Sequence, residues 1–271
     1  MKFWKKVLIL FLAVLGIGIV VKTTGTEKKS PKVSEEIPLK FAVMADIHSD
    51  EKNLKKALNL IKLNNSNFLI ILGDLTTLGK KDELLKIKEI LEESGIKYYV
   101  IPGNHDIWWG RQYKKNLWME IFGKSFDSFR IDNHKFILLN NADGVEGFGV
   151  IGKDGREQMA WLQEEVEECL RLYCLAFLHM PLSHPTSLHV MGEDNPKVAS
   201  EASELIELFL KNNIKEIFAG HLHFSSEYNL GGLHTTIVGA ITKDRNLQSP
   251  KFLEIWQEGG NFAKKEVFLE N

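Results

Sequence analysis

Seven polar side chains of this sequence have the chemistry of metal ligands. They are two carboxylates, one amide and four imidazoles: Asp46, Asp74, Asn104, His48, His179, His221 and His223. A mixed oxygen and nitrogen set without thiolate suits manganese, iron or zinc and argues against an iron–sulfur cluster. Seven ligands are too many for one ion, so we expect two ions that share one carboxylate. Such a pair clamps the attacking and leaving oxygens of an in-line displacement, which makes phosphoryl transfer the expected chemistry.

Each of these residues follows a segment that is predicted to be a buried strand. Short apolar runs alternate with helical patterns in the first half of the chain: 40–45, then 52–63; 68–72, then 82–93; and 98–101. This alternation predicts βαβ units with parallel strands. Open α/β sheets bind ligands at the carboxyl ends of their strands, so we expect the seven side chains to converge on one crevice.

The second half of the chain predicts a second set of elements. They are a hairpin at 128–132 and 135–140, a helix from 156 to about 170, a strand at 174–178, a helix at 199–210 and a strand at 216–219. The tail, 225–230, 235–238, 252–257 and 262–268, predicts successive antiparallel strands around glycine-rich turns. Two sheets flanked by helices are therefore expected.

The candidate ligands belong to an ordered set of short motifs. The motifs are Asp46-Ile47-His48, Gly73-Asp74, Gly103-Asn104-His105-Asp106, His179 and Gly220-His221-Leu222-His223. In order and in spacing they resemble the successive motifs of the calcineurin-like metallophosphoesterase family, from about residue 39 to 224. Gln158, Trp161-Leu162 and Met180-Pro181 are similar to its secondary signatures. The resemblance implies an α/β fold, a four-layer αββα sandwich of two mixed β-sheets flanked by helices.

The resemblance also implies a mechanism and a role for each residue. Asp46, His48 and His223 would hold the first ion, Asn104, His179 and His221 would hold the second, and Asp74 would bridge them. A metal-bridging hydroxide would then attack a phosphomonoester or a phosphodiester. His105 would contact a phosphate oxygen or protonate the leaving group, and Asp106 would orient the His105 imidazole.

One position departs from the family pattern. Many members carry Gly-Asp-x-x-Asp, whereas Thr77 stands at the place of the second Asp. The missing residue does not itself bind the metal, so metal binding is expected to survive. The departure leaves open which residues make hydrogen bonds to the ligand residues and which ester is preferred.

Two other functions compete with hydrolysis of a small phosphate ester. A metal-dependent nuclease uses the same motif order, but the formal charge of -2 and the lack of a basic cluster make nucleic acid an unexpected partner. A non-catalytic binding module tethered to a membrane would typically have lost ligands or His105, and this sequence retains them.

The N-terminus has the composition of an export or anchor segment. Lys2, Lys5 and Lys6 precede an apolar run, residues 7–21, and residues 22–38 are polar and read as a flexible linker. The catalytic domain is expected over 39–271. Because no small-x-small cleavage site stands out, an uncleaved membrane anchor is favoured over a removed signal peptide. The catalytic domain is then expected to be extracytoplasmic, or secreted if the segment is cleaved.

Four residues outside the motifs are expected to be structural. Cys169 and Cys174 are interpreted as buried free thiols, because unpaired cysteines are often buried. His134 and His234 lie in or beside predicted turns and are expected to be solvated.

A second group of residues lies in segments that could meet a substrate. His184 and His189 occupy the long loop after His179, where recognition residues are common, although a structural role is the more frequent outcome. Trp108 and Trp109 could stack on a substrate, but core packing is favoured. Arg111 could bind a phosphate oxygen, but an exposed arginine at a helix start is the commoner case.

Overall fold

The computed structural model describes residues 39–113, 116–142, 155–193 and 195–269. The predicted N-terminal segment at 1–21 and linker at 22–38 lie outside these residues, so their boundaries and the membrane anchor stay predictions. None of the helices in the described part of the chain has both the length and the hydropathy of a membrane-spanning helix.

The first sheet combines strands from both ends of the domain. Its five strands lie in the order β11, β10, β1, β2, β3. Their bounds are Lys40–Met44 (β1), Phe68–Ile71 (β2), Tyr98–Val100 (β3), Lys251–Glu258 (β10) and Asn261–Phe268 (β11). Strands β1, β2 and β3 are parallel and β10 pairs antiparallel with β1, so the sheet is mixed.

The second sheet has six strands in the order β4, β5, β6, β7, β9, β8. Their bounds are Asp127–Ile131 (β4), His134–Leu138 (β5), Tyr173–Phe177 (β6), Glu216–Ala219 (β7), Ser226–Leu230 (β8) and Leu233–Ile237 (β9). The four inner strands are parallel, and the edge strands β4 and β8 run antiparallel to their neighbours.

Helices connect the strands of both sheets. They are Glu51–Leu63 (α1), Lys81–Ser94 (α2), Asn104–Gln112 (α3), Leu117–Phe122 (α4), Gly155–Glu167 (α5), which continues into a 3₁₀ turn at Glu168–Leu170, and Pro196–Lys211 (α6). The α1 helix shows why these segments are helical: Asp50 accepts the backbone N–H of Asn53 as an N-cap, and Leu54, Leu58 and Ile61 repeat at helical spacing on the buried face.

Three apolar clusters show how the layers stack. The middle cluster joins inner faces of both sheets, where Phe41 of β1 packs edge-on against Phe136 of β5 at 5.3 Å. A second cluster packs α1, α2 and α4 against the first sheet, and a third packs α5 and α6 against the second sheet. Two mixed sheets with helices on their outer faces confirm the coarse form of the predicted fold.

The predicted pairing of the tail strands was wrong in part. Strands β8 and β9 form a hairpin, but β9 then pairs parallel with β7, and β10 and β11 return to the first sheet. The reason lies in β10, which is apolar on both faces. Phe252 packs toward the outer helices while Leu253 and Ile255 pack into the middle cluster, so β10 needs a place inside a sheet rather than in a solvated meander.

The two cysteines are joined by a disulfide, so the prediction of free thiols was wrong. The 3₁₀ turn after α5 reverses the chain, and the N–H groups of Arg171 and Leu172 both donate to the carbonyl of Glu168. This reversal brings the Cα atoms of Cys169 and Cys174 to 5.5 Å, within the range that a disulfide spans.

The two histidines that were assigned to turns lie in strands instead. His134 begins β5 and is buried against Tyr173 and Phe262, with ring centroids 5.7 and 5.0 Å away. His234 lies in β9, half-buried, and its Nε2 is 2.8 Å from Glu227 Oε1. Both turns are shorter than predicted, because the strands extend up to the residues that form the hairpin loops.

Candidate metal centre

The carboxyl ends of five strands bring the seven candidate ligands together. Asp46 and His48 follow β1, Asp74 follows β2, Asn104 follows β3, His179 follows β6, and His221 and His223 follow β7. Six of them are buried and Asn104 is half-buried. The convergence arises because β1, β2 and β3 of one sheet and β6 and β7 of the other end at the same side of the domain.

The backbone around the ligands adopts conformations that L-residues seldom take. Positive φ angles occur at Asp46, His48, Asp74, His221 and His223, between 46° and 70°. Each such residue costs on the order of 1–3 kcal/mol and persists only where its surroundings hold it in place. Backbone hydrogen bonds stabilise part of this conformation, since the N–H groups of Ile47 and His48 both donate to the carbonyl oxygen of Asp74 at 2.8 and 2.9 Å.

Two glycines allow the β2 and β3 loops to approach each other. A Cβ on Gly73, whose φ is +87°, would lie 2.5 Å from the backbone nitrogen of Gly103. A Cβ on Gly103 would lie 2.1 Å from Oδ1 of Asp74. The glycine before Asp74 and the one before Asn104 are therefore required for these two ligands to lie side by side.

One group of ligand atoms surrounds the β1 side of the centre. The Nε2 atoms of His48 and His223 lie 3.0 Å apart, and His48 Nε2 is 3.4 Å from Asp74 Oδ2. Asp46 Oδ1 is 3.9 Å from His223 Nε2. We call this group the first half-site: Asp46, His48, Asp74 and His223, whose ligand atoms lie within 4.8 Å of one another.

A second group lies on the β6 side and shares Asp74. His179 Nε2 is 3.4 Å from Asp74 Oδ2, 3.2 Å from His221 Nδ1 and 3.0 Å from Asn104 Oδ1. The same carboxylate oxygen thus faces both groups. We call the second group, Asp74, His179, His221 and Asn104, the second half-site.

Hydrogen bonds behind two of the imidazoles direct their lone pairs inward. His179 Nδ1 lies 2.7 Å from the Leu72 carbonyl and His223 Nδ1 lies 3.1 Å from the Asp244 carbonyl, so each Nδ1 carries the proton that is donated. Each Nε2 then faces carboxylate oxygens, which are acceptors. Nitrogen and oxygen atoms that converge in this way repel one another unless a proton or a metal cation lies between them, so the donor set fits bound metal.

The charges of the centre lead to the same conclusion. Burial raises the pKa of the Asp46 carboxyl to about 8, and the neighbouring Asp74 carboxylate contributes to the rise. Burial lowers the pKa of the His48 imidazole to about 3. A cation at the centre favours the carboxylate and the neutral imidazole together, which is the protonation state that both groups need as ligands.

Asp106 does not orient His105, so that prediction was wrong. Its carboxylate accepts the backbone N–H groups of Leu75, Thr76 and Gly103 at 2.9 to 3.1 Å, and the Thr76 hydroxyl at 2.9 Å. These bonds tie the loop after β2 to the loop after β3. Asp106 therefore positions Asp74 and Asn104 through their backbones.

His105 is oriented by the residue at which the family pattern departs. The Nδ1 atom of His105 is 2.7 Å from the backbone carbonyl of Thr77, and its own backbone N–H donates to Asp74 Oδ1 at 2.9 Å. The Thr77 hydroxyl donates to the His48 carbonyl at 3.0 Å. Thr77 thus links His105 to the first half-site, which supplies support that the sequence left open.

Asn141 is a supporting residue that the sequence analysis missed. It is fully buried, and its Oδ1 accepts the backbone N–H groups of both His179 and Met180 at 3.0 Å. Its Nδ2 donates to the Met180 carbonyl at 2.7 Å. Its position just beyond β5 is the signal that could have identified it, because it is one more polar residue at a strand end.

The other residues that the sequence analysis identified differ in their burial and in their contacts. Trp109 packs against the core of the first sheet as expected, but Trp108 is 56% exposed, with its ring centroid 5.8 Å from that of His105. Core packing was therefore the wrong prediction for Trp108. Gln158 is buried and bonds both ways to the backbone of Asn140, at 2.9 and 3.0 Å. The side chain of Arg111 lies outside the described part of the structure.

Comparison with known families gives one clear match. The profile of the family described as calcineurin-like phosphoesterase matches residues 39–225. That range contains all seven candidate ligands and His105.

The individual relatives share about a quarter of their residues with this chain. The chain is 27% identical over 183 residues to a protein of Vesicomyosocius okutanii named a probable cyclic nucleotide phosphodiesterase, covering 67% of this chain and 72% of the relative. It is 26% identical over 235 residues to a protein of the same name from Fibrobacter succinogenes, covering 81% and 85%. Among solved structures, a dimetal phosphatase from Danio rerio superposes with a TM-score of 0.64 at 14% identity, covering 86% of this chain and 97% of that one. At that identity the superposition shows a shared fold.

Proposed function

The chain belongs to the calcineurin-like phosphoesterase family, and from this membership we propose that it hydrolyses a small phosphodiester with two metal ions held at the two half-sites. Family and relatives make it a metal-dependent phosphoric ester hydrolase. The observation that carries the two-ion proposal is the shared Asp74 oxygen, which lies 3.4 Å from His48 Nε2 on one side and 3.4 Å from His179 Nε2 on the other.

The proposed ligands divide as the half-sites do. Asp46, His48 and His223 would hold one ion, Asn104, His179 and His221 the other, and Asp74 would contact both. The ions, of manganese, iron or zinc, would activate water and withdraw charge from the phosphoryl oxygens. The chain supplies the positions of the ligands, since the carbonyls of Leu72 and Asp244 set the tautomers of His179 and His223.

His105 is the proposed proton donor or phosphate ligand. Its Nδ1 donates to Thr77, so Nε2 at the opposite edge of the ring is left for the substrate. The ring lies edge-on to that of His48, with centroids 4.7 Å apart, which places it beside the first half-site. An imidazole suits this role because a ring nitrogen can donate a proton or a hydrogen bond to a phosphate oxygen.

The preference for a diester rests on the relatives, which are named phosphodiesterases. The test is a panel of substrates offered to protein loaded with manganese, zinc or iron: bis(para-nitrophenyl) phosphate, para-nitrophenyl phosphate, cyclic nucleotides and duplex DNA. We expect the diesters to be hydrolysed faster than the monoester, and the DNA to be left intact. The His234→Phe variant, altered outside the metal centre, serves as the control for handling. Absence of hydrolysis with every metal and every substrate would refute the proposal.

We also propose that the catalytic domain works outside the cytoplasm. The Cys169–Cys174 disulfide supports this, because disulfides persist mainly in oxidising compartments. The apolar run at residues 7–21 supports it independently, since it reads as an export or anchor segment. A reporter enzyme that is active only after export, fused behind residue 271, tests the proposal: activity is expected, and an inactive reporter on an intact fusion contradicts it.

A further inference from the structure

Two imidazoles that are not candidate ligands lie against the rings of the metal centre. His105 packs edge-on against His48 of the first half-site, at 4.7 Å between centroids. His189 stacks on His221 of the second half-site, at 4.2 Å with 25° between the ring planes. Each half-site therefore has one further imidazole against it, and only the one beside the first half-site belongs to a family motif.

The two imidazoles are held in the same way but by different partners. The Nδ1 atom of His105 donates to the backbone carbonyl of Thr77, and His189 Nδ1 lies 2.7 Å from Oε2 of Glu193. Among the described residues, neither Nε2 has a hydrogen-bond partner. The Glu193 carboxylate therefore fixes the ring through Nδ1 and leaves Nε2 at the opposite edge of the ring, where it can meet an anionic oxygen of a ligand.

The loop that carries His189 is fixed rather than free. The N–H of Met191 donates to the Pro181 carbonyl at 2.8 Å, and Met191 itself is buried in the core of the second sheet. Tyr228 donates its hydroxyl to the Ser183 carbonyl. These contacts anchor the loop on both sides of His189, so its position above His221 is defined.

His184, in the same loop, shows what a structural histidine looks like. Its Nδ1 accepts the N–H groups of Thr186 and Ser187 at 3.2 and 2.9 Å, and its Nε2 is 3.1 Å from the Ser226 hydroxyl. Both of its nitrogens are used within the protein. His189 differs because only its Nδ1 has a hydrogen-bond partner among the described residues. Its side chain is 57% exposed, although it stacks on His221, which is buried.

We propose that His189, held by Glu193, contacts the substrate from the side of the second half-site, where Nε2 donates to a phosphate oxygen opposite His105. The inference rests on the proposed function and extends it to a residue outside the family motifs. Because this contact is present in the bound substrate as well as in the transition state, His189 contributes to KM more than to kcat.

The experiment compares three substitutions in the full chain loaded with metal. His189→Phe keeps a ring to stack on His221 and removes the donor, His189→Gln keeps a donor without the ring, and His189→Ala removes both. The measurements are metal content, KM and kcat for bis(para-nitrophenyl) phosphate, and the Kd of inorganic phosphate by calorimetry. His234→Phe is the matched control, because it makes the same substitution outside the centre.

We expect His189→Phe and His189→Ala to raise KM and the phosphate Kd alike, by about 10-fold for a lost charge-assisted hydrogen bond. His189→Gln should be affected less, while kcat and metal content stay near wild type in all three. A His189→Phe variant with unchanged KM and phosphate Kd would overturn the inference, and so would loss of metal, because stacking on His221 would then be the role. A wild-type protein without hydrolysis would instead refute the proposed function.

Discussion

The metal centre and a second polar cluster both contain carboxylates and imidazoles, but they differ in the source of the cation that these groups surround. The second group, which we call the β7–β9 cluster, consists of Glu216, Glu227 and His234, whose oxygen and nitrogen atoms also lie within 4.8 Å of one another. In this cluster the cation is a side chain of the protein, the ammonium group of Lys264. The Lys264 ammonium contacts Glu216 and lies 2.9 Å from Glu227 Oε1 and 3.3 Å from His234 Nε2.

The position of each group along β7 accounts for part of the difference. Glu216 is the first residue of β7, whereas His221 and His223 follow the end of that strand. The β7–β9 cluster is built from regular strand residues, and its lysine comes from β11 of the first sheet, so the cluster joins the two sheets. Five of the seven ligands in the metal centre have positive φ, and the groups of ligand atoms contain no lysine or arginine.

This comparison shows that ligand-type residues at ligand-type distances do not by themselves indicate a metal site. What distinguishes the metal centre is that the neighbours of Asp74 Oδ2 are the Nε2 atoms of His48 and His179, which can share a metal ion with it, and not a lysine ammonium. In the β7–β9 cluster the Lys264 ammonium donates to Glu216 Oε1 and to Glu227 Oε1, and the Thr236 hydroxyl also donates to Glu216 Oε1. Four predictions test this contrast.

The largest effect is expected from Asp74→Asn. The substitution removes the carboxylate that both half-sites share, so we expect hydrolysis to fall by about 1,000-fold or more and metal content to drop. Steady-state kinetics and elemental analysis measure the two effects, with His234→Phe as the control. A variant that keeps more than a tenth of wild-type activity would break the assignment of Asp74.

The corresponding change in the β7–β9 cluster is Lys264→Met. It leaves the largely buried Glu216 without its cation, so we expect the free energy of unfolding to fall by about 2–4 kcal/mol. Activity per folded molecule should stay near wild type. Urea denaturation measures the loss, and Lys264→Met combined with Glu216→Gln should recover part of it. No loss in the single variant would mean that the ion pair contributes nothing to folding.

The pH dependence of the metal-free protein should separate the two groups. Burial raises the pKa of the Asp46 carboxyl from 3.8 to about 8, and the Asp74 carboxylate beside it contributes to the rise. Burial by itself lowers the pKa of the His179 imidazole, but the Asp74 carboxylate outweighs burial and raises that pKa from 6.5 to about 9. Above pH 6.5 the folded chain then holds protons that the unfolded chain has released. The free energy of unfolding should fall as pH rises from 6.5 to 9, by about 1.4 kcal/mol for each pH unit and proton.

The matched variants for that experiment are Asp46→Asn, which should flatten the slope, and Lys264→Met, which should leave it unchanged. Unfolding by urea at pH 6.5, 7.5 and 8.5 in the presence of a chelator measures it. A metal-free protein that becomes more stable over this range would contradict the assigned pKa directions.

The smallest effect is expected from Thr77→Val. This change removes the hydroxyl that donates to the His48 carbonyl but keeps the backbone carbonyl that orients His105. We expect a loss of about 1 kcal/mol in stability and an activity loss below about 10-fold, with metal retained. Thr77→Ser, which keeps the hydroxyl, should behave as wild type. An activity loss as large as that of Asp74→Asn would show that Thr77 acts on the metal centre more directly than its contacts indicate.

Much of the fold was predictable because burial leaves a regular mark on the sequence. Buried parallel strands such as β1 and β2 are apolar throughout, and α1 and α6 carry apolar residues at helical spacing, so these elements were identified within a few residues. The residues after the strands were recognisable as candidate ligands for the same reason, since polar groups at the ends of buried strands need partners.

The sequence by itself therefore determined which residues surround the centre, because their types and their places at strand ends are local properties. Only the tertiary structure decided their partners. Asp106 binds backbone N–H groups rather than His105, Cys169 pairs with Cys174, and β10 leaves the tail to join the first sheet. These outcomes depend on distances between segments that are far apart in the chain or meet across a turn, and residue type alone does not encode such distances. The same reason separates His189 from His184, and the metal centre from the β7–β9 cluster.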